Sequence, residues 1–275
     1  MGELKPFFSI IVVCLNPGEK LKCTLDSIVM QKYEDFEVII KDGISADGAA
    51  EKYVAAQNDT RIKLFMEPDL GIYDAMNQAL EKASGAFIYF LNCGDLFYDK
   101  DVLTKVRNEI AKSNQAGIFY GNVFEVLTGQ EVLSNPCIDR FACYRHLPCH
   151  QACFYRKELL SKHPFIIEYK VRADYEQFLW CFLKAEAAAH YMPLMIACYE
   201  GAGFSETKAN RKISMLEHQE IVRTYMSKRE VLKYRLILCL TLSPLRTKLA
   251  RNKYTSGIYN QFKKMLYSLT SAKFT

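Results

Sequence analysis

The chain has 275 residues, half of them hydrophobic and 24% charged, with a net charge of +5. That length and balance suit one large α/β domain with an appendage and argue against a disordered or fibrous chain; no run reaches the roughly 18–20 apolar residues of a transmembrane helix. The charge is uneven: from Ser205 onward 15 Lys and Arg stand against 4 Asp and Glu, a balance of +11, which leaves −6 for the first 204 residues.

In chain order, FFSIIVVCLN (7–16) is a buried strand ending in Asn-Pro-Gly, too short an apolar run and too poorly flanked for a signal peptide. EKLKCTLDSIVMQ (19–31) has a helical apolar period, FEVIIKDG (36–43) is a second strand, and DGAAEKYVAAQ (47–57) is a helix. IKLFMEPD (62–69) is a third strand, GIYDAMNQALEKASG (71–85) a helix with Gly beyond its end, and AFIYFLNCGD (86–95) a fourth strand. A helix follows over 101–112, then strands near GIFYGNVFEVL and GQEVLS around a Thr-Gly turn. RHLPCHQACFYRKELL reads as a loop, RADYEQFLWCFLKA (172–185) as a helix, AHYMPLMIACYE as a strand, and GAGFSETK as a polar loop. From about residue 210 the chain reads as helical and basic, its apolar stretch 231–254 broken by Pro244.

Strands alternating with helices predict a mostly parallel, doubly wound, Rossmann-like sheet flanked by helices over residues 1–205, with a basic helical extension over 206–275. Each early strand ends on a polar cluster: Asn16, Asp42, Asp69, and Asn92 with Asp95. In such sheets ligands bind at the carboxyl ends of the strands, so four converging polar ends read as a site. The ten Cys form no CxxC or Cys/His zinc pattern and read as reduced core thiols of a reducing compartment. No GxGxxG, GxxxxGK[ST] or GxSxG occurs, which argues against a nicotinamide dehydrogenase, a P-loop enzyme and an elbow hydrolase.

The residues leave several roles open. Asp42, beside Gly43, suits either a nucleobase N–H or a turn. Asp95 suits either a hard divalent ion shared with substrate phosphates or a helix cap. Asp174 and Glu176 lie two apart at a helix start, where one serves as general base and the other caps or contacts an acceptor, or where both favour the helix dipole. His150, with Gln151, and His163 are candidate ligands or structural histidines.

The segments SIIVVCLNPGEKLKCTLDSIVMQKYEDFEVIIKDGISADG, EPDLGIYDAMNQALEKASGAFIYFLNCGD, HQACFYRKEL and YKVRADYEQFLW resemble the family-2 inverting glycosyltransferases of the GT-A fold, over residues 7–205. The subgroup most like it makes bacterial surface polysaccharides of the colanic-acid type. The resemblance implies that Asp42 reads the nucleobase of a nucleotide sugar, that Asn16 lies near the nucleotide, and that Asp47 orders the loop after the second strand. It implies that Glu67, Asp69, Asp74 and Asn77 line the donor site, with Asn92, and that Asp95 holds Mg²⁺ or Mn²⁺. It implies that His150, Gln151 and Glu176 lie near sugar or acceptor and that Asp174 is the catalytic base. Two departures stand out: the metal motif keeps one carboxylate, and Met76 stands where many relatives carry Arg.

The implied reaction moves a sugar from a UDP-, GDP- or dTDP-linked donor to a hydroxyl of a lipid-linked glycan acceptor, with inversion. The implied location is the cytoplasm, or the inner face of the cytoplasmic membrane. A catalytically weak nucleotide-sugar-binding scaffold and a nucleotidyltransferase are the rival readings. The basic tail reads either as a membrane-surface element or as a packing or homodimer helix. Nucleic-acid binding is not expected, since the basic residues flank an apolar segment without a recognised module.

Overall fold

The computed structural model describes residues 5–201 and 207–241, with the single positions 257, 261 and 265. Most of the 201–208 loop and the apolar stretch beyond residue 241, Pro244 included, lie outside the described residues. Contacts divide the chain otherwise than by one cut at 205/206. One compact unit takes Met1–Ser134 with Pro148–His218, and the other takes Asn135–Leu147 with Gln219–Thr275.

The first unit opens with β1 (Phe8–Cys14), α1 (Glu19–Val29), β2 (Phe36–Asp42), α2 (Ala49–Gln57), β3 (Ile62–Met66), α3 (Ile72–Lys82) and β4 (Phe87–Phe90). β1, β2 and β4 are buried throughout or nearly so, which is why their sequences run apolar without alternation. The helices bury one stripe each: Leu21, Thr24, Leu25 and Ile28 on α1, and Ala75, Met76, Ala79 and Leu80 on α3. These four strands pair in parallel, with Cys14 opposite Asp42 and Asp42 opposite Met66. That even register brings the strand-end residues into one row.

The chain continues with β5 (Leu96–Phe97), α4 (Val102–Lys112), β6 (Ile118–Glu125) and β7 (Gln130–Val132). Then come α5 (Arg140–Arg145), a 3₁₀ turn over His150–Ala152, β8 (Cys153–Arg156), α6 (Lys157–Lys162), α7 (Ala173–Leu179) and β9 (Ala189–Tyr199). The nine-stranded sheet runs β3-β2-β1-β4-β8-β6-β9-β5, with β7 beside β6. The segment read as a loop over 145–160 therefore contains a central strand. β8 lies antiparallel to both β4 and β6, making the sheet parallel at one side and mixed at the other. Its four residues, three of them buried, have no period a sequence could reveal. β9 pairs in parallel with β6, but the register slips from Tyr120–Tyr191 to Asn122–Met195 around Pro193, which has no N–H for a ladder. The helix expected over 172–185 stops at Leu179 and widens into a π-helical turn, Trp180–Lys184.

Aromatic rings fill the centre. Tyr89 stacks on Phe154 at 4.3 Å and on Phe97 at 5.2 Å, and Phe8 meets Phe154 edge-on. At the amino ends of the strands a buried carboxylate does the joining: Glu37 of β2 accepts from Ser9 Oγ, Lys63 Nζ, and Ser84 N and Oγ. The cysteines are not uniformly core, since Cys23, Cys137 and Cys239 are exposed.

α8 (Lys208–Tyr225) begins in the first unit and ends in the second. In the second unit α9 (Lys228–Leu240) starts with a capping box in which Ser227 and Glu230 bond reciprocally. Arg140 of α5 pairs with Glu230 at 2.6 Å, and Phe141 and Tyr144 pack on Tyr234. Leu232, Leu236 and Leu240 stay exposed, one turn apart. No described helix is long and apolar enough to cross a membrane.

Candidate active site

The loops after β1 and β2 are laced together. Asn16 Oδ1 accepts from Ala46 N at 2.9 Å, and Asn16 N donates to Ser45 Oγ at 2.7 Å. Asp47 accepts from Gly18 N and Ala49 N, so it orders this pair of loops. Asp42 is fully buried and accepts from Ser45 N, Ser45 Oγ and Cys14 Sγ. Its carboxylate thus shapes the strand-end loop. The same bonds hold Ile44 at φ 64°, a costly conformation for a β-branched residue. Gly43 makes room for a neighbour: a Cβ there would lie 2.7 Å from Asp69 Oδ2.

Asp69 also takes a bond from Lys41 Nζ at 3.1 Å and caps Gly71 N. Lys41 is 1% exposed, and its ammonium also donates to the carbonyls of Asp42 and Glu67. A buried cation is tolerated only with such complete pairing, so Lys41 ties the ends of β2 and β3 together. Three other expected donor residues are engaged elsewhere. Glu67 faces Lys82, and Asp74 accepts from Leu70 N and Gln78 Nε2 at the start of α3. Asn77 bonds both the N–H and the carbonyl of Phe165. These side chains are committed to local structure, and Met76 is buried in the wall behind them.

After β4 the chain turns at Asn92-Cys93-Gly94-Asp95, with Asp95 N donating to Asn92 O. Gly94 holds φ 100°, which favours glycine. Thr24 of α1 anchors the turn, accepting from Gly94 N and donating to Asp95 O. The Asp95 side chain is buried, and Gln151 Nε2 donates to its Oδ2 at 2.9 Å. Burial holds the Asp95 carboxyl above the usual carboxylate range, with the Gln151 amide pulling the other way. Asn92 Oδ1 is buried without a hydrogen-bond partner. Among the described residues no group of three or more His, Cys, Asp or Glu comes together in a form that could hold a metal ion.

The 3₁₀ turn at His150 joins this turn to α7. Tyr89 Oη donates to Gln151 O at 2.8 Å and sets the turn's height above the sheet. His150 Nε2 lies 3.0 Å from Asn92 Nδ2, while its Nδ1 lies 3.7 Å from Asp174 Oδ2. Tyr73 Oη is within bonding distance of Asp174 Oδ1 (3.1 Å) and Val171 O (2.9 Å). Glu217 of α8 accepts from three successive backbone N–H groups, Lys170, Val171 and Arg172, immediately before α7. Asp174 and His150, with Tyr73, Phe90, Phe165 and Met76, line a cavity whose floor is apolar.

Glu176 does not join Asp174. It is 2% exposed and paired with His163 Nε2 at 3.0 Å, and that ring stacks on Trp180 at 4.6 Å. One helical residue is about 100° of turn, so positions two apart face different ways. Glu176 is thus held against His163, on a different face of α7 from Asp174. The residues that sequence reasoning missed are Ser45, Lys41, Thr24, Tyr73 and Glu217. Each is an ordinary residue in an ordinary helix, strand or loop, and only long-range contact distinguishes it. Four of them lie within the quoted segments, Lys41 beside Asp42 and Tyr73 beside Asp74, but nothing in those segments separates them from their neighbours.

Chemically, the assembly offers a lone buried carboxylate with an unpartnered amide oxygen three residues away. A second, half-exposed carboxylate with one oxygen facing an imidazole lies across the 3₁₀ turn, and an apolar cavity lies beside it.

Residues 9–134 match the family model for Glycosyl transferase family 2. A PGL/p-HBAD biosynthesis glycosyltransferase of Mycobacterium bovis is 33% identical over 211 residues, covering 75% of this chain and 82% of that protein. The Escherichia coli UDP-Glc:alpha-D-GlcNAc-diphosphoundecaprenol beta-1,3-glucosyltransferase WfgD is 28% identical over 180 residues, covering 62% of this chain and 67% of that protein. Among solved structures, the mannosyltransferase PcManGT from Pyrobaculum calidifontis in complex with GDP-Man and Mn²⁺ matches with a TM-score of 0.65 at 17% identity, over 98% of this chain and 87% of that one. S. aureus TarS 1–349 in complex with UDP-GlcNAc matches with a TM-score of 0.63 at 20% identity, over 82% of this chain and 69% of that one.

Proposed function

The chain belongs to glycosyl transferase family 2 and has the GT-A fold, and from that premise we propose that it moves a sugar, with inversion, from a nucleoside-diphosphate sugar to a hydroxyl of a lipid-linked glycan. The setting proposed is bacterial surface-polysaccharide synthesis, on the inner face of the cytoplasmic membrane. The observation that carries the reading is the turn at 150–151, where Gln151 holds Asp95 and His150 faces Asp174. These contacts support reading Asp95 as the cation-binding carboxylate and Asp174 as the base. The names of the relatives, one of them acting on a diphosphoundecaprenol-linked sugar, support the acceptor class.

The laced loops carrying Asn16, Ser45 and Asp47 form the donor nucleotide's side of the site, stiffened from beneath by Asp42 and Lys41. Asp95 and Asn92 Oδ1 fit a divalent cation, Mg²⁺ or Mn²⁺. One is a buried carboxylate whose charge the protein under-compensates, the other a buried hard oxygen without a partner. Such a cation, when bound, neutralises charge on a leaving diphosphate. Asp174 accepts the proton of the acceptor hydroxyl as that oxygen bonds to the anomeric carbon and the bond from that carbon to the diphosphate oxygen breaks. A single displacement inverts the carbon, and the proton ends on Asp174. The apolar cavity keeps water from competing with the acceptor.

The test begins with a panel of UDP-, GDP- and dTDP-sugars, scanned by thermal shift with and without Mn²⁺, since a true donor stabilises with its concentration over Kd. With that donor, Asp174→Asn loses transfer by about 10²–10⁴-fold while keeping its donor-induced shift. Asp95→Ala loses both the transfer and the dependence on metal. Near wild-type turnover by Asp174→Asn overturns the base assignment, and full activity in excess chelator overturns the metal. Donor binding without any turnover would instead favour the scaffold reading.

A further inference from the structure

Tyr73 has no part in the mechanism above, yet it touches the base. We propose that Tyr73 is a positioning residue whose hydroxyl turns between two acceptors, Asp174 Oδ1 and the Val171 carbonyl, as Asp174 gains its proton. The inference rests on the reading of Asp174 as general base.

The geometry poses an accounting problem. The hydroxyl lies 3.1 Å from Asp174 Oδ1 and 2.9 Å from Val171 O, but a phenol has one proton to donate. Its acceptor must therefore depend on which oxygen is more basic. While Asp174 is a carboxylate, the charge-assisted bond to Oδ1 wins. That bond fixes the carboxylate's rotamer and occupies one oxygen. It leaves Oδ2, the oxygen facing His150 Nδ1 at 3.7 Å, to take the acceptor's proton. Once Oδ2 is protonated, the neutral acid is a weaker acceptor than a peptide carbonyl, and the Tyr73 proton swings to Val171 O. No donor is stranded in either state, so the swing avoids the cost of an unmade bond in a half-buried site.

Independent features hold the two acceptors in place. Glu217 takes the N–H groups of Lys170, Val171 and Arg172, which fixes the Val171 peptide. The Tyr73 ring packs against Phe165 at 5.6 Å, and Asn77 pins Phe165 through two backbone bonds of 2.9 Å. Burial, with the charge of Asp174, keeps the phenol's pKa well above its usual range, so it stays a donor and is not itself the base. The other titratable groups around the pair are His150, Cys149, Cys153 and Tyr155 toward Asp174, Glu217 toward Tyr73, and Asp95 toward His150.

Because Tyr73 bonds the charged form more strongly, its loss makes Asp174 easier to protonate. The experiment follows the Asp174 carboxyl by ¹³C NMR in the full chain labelled with [¹³C]Asp, the signal assigned by its absence in Asp174→Asn. In Tyr73→Phe, which keeps the ring, the titration moves up, and the acid limb of the transfer profile moves with it. The KM for donor stays within about twofold while kcat falls about tenfold. Glu37→Gln, at the far end of the sheet, is the destabilised control and leaves the Asp174 titration where it was. An unmoved titration in Tyr73→Phe, or an equal shift in Glu37→Gln, overturns the proposal. Failure of the base reading is seen separately, as transfer by Asp174→Asn.

Discussion

Replacing Glu37 with Gln should destabilise the protein by an amount that depends on pH in a defined way. The side chain is 5% exposed and its carboxylate accepts from Ser9 Oγ at 2.7 Å, Ser84 N at 2.6 Å, Ser84 Oγ at 2.7 Å and Lys63 Nζ at 2.8 Å. Burial pushes the carboxyl upward, but the bonds from Lys63, Ser9 and Ser84 outweigh it and hold its pKa at about 2, against 4.5 for a free Glu. At 1.36 kcal/mol per unit, that difference amounts to about 3 kcal/mol favouring the folded state. Because the folded pKa is the lower one, this stabilisation is fully present above about pH 4.5 and is lost as pH falls through about 2. Glu37→Gln should therefore cost about 3 kcal/mol at pH 7, roughly 6–12 °C in Tm for a unit of this size. The gap to wild type should close steadily below pH 4.5. Urea unfolding of both proteins at pH 7, 5, 4 and 3 measures it. A gap that stays constant with pH, or no gap at pH 7, refutes the reasoning. Activity at 25 °C should be unchanged, since Glu37 binds the amino ends of the strands and the site lies at their carboxyl ends.

Two further outcomes are expected at α7 and α9. Glu217→Gln removes a full charge from three N–H groups that set the entry to α7, so kcat should fall severalfold with the donor-induced thermal shift retained; an unchanged kcat would show that Asp174 needs no such support. If α9 meets an anionic membrane surface, the exposed Leu232, Leu236 and Leu240 are the side chains that enter it. Leu232→Ser with Leu236→Ser should weaken sedimentation with anionic vesicles, and undiminished sedimentation counts against that reading.

The legible part of the fold was its parallel half. β1, β2 and β4 announce themselves as unbroken apolar runs closed by polar turns, and α1 and α3 by the helical period of the one stripe each buries. β8 announces nothing, since its partners β4 and β6 lie far along the chain and its residues simply read CFYR. The same division runs through the site. Asp95 and Asp174 stand out as acids at a strand end and a helix start. Asp42, Asn77 and Glu176 stand out equally, yet they are bonded to Ser45, Phe165 and His163. A side chain's type and position are local facts, whereas what it faces is set by the folded backbone, whether the partner lies three residues away, as Ser45 does from Asp42, or far along the chain, as Phe165 does from Asn77.

By itself, the sequence determined the alternating elements, the row of polar strand ends, the single acid closing the fourth strand and the family resemblance, all of which depend on residue type and near spacing. Tertiary structure alone decided which of those polar groups are spent. Packing buries Asp42 on Ser45, closes Lys41 over Asp69, and sets one 3₁₀ turn so that Gln151 meets Asp95 while His150 faces Asp174. The reason is energetic: a buried polar group must find a partner wherever the chain brings one within about 3 Å, and only the folded backbone determines which residue that is.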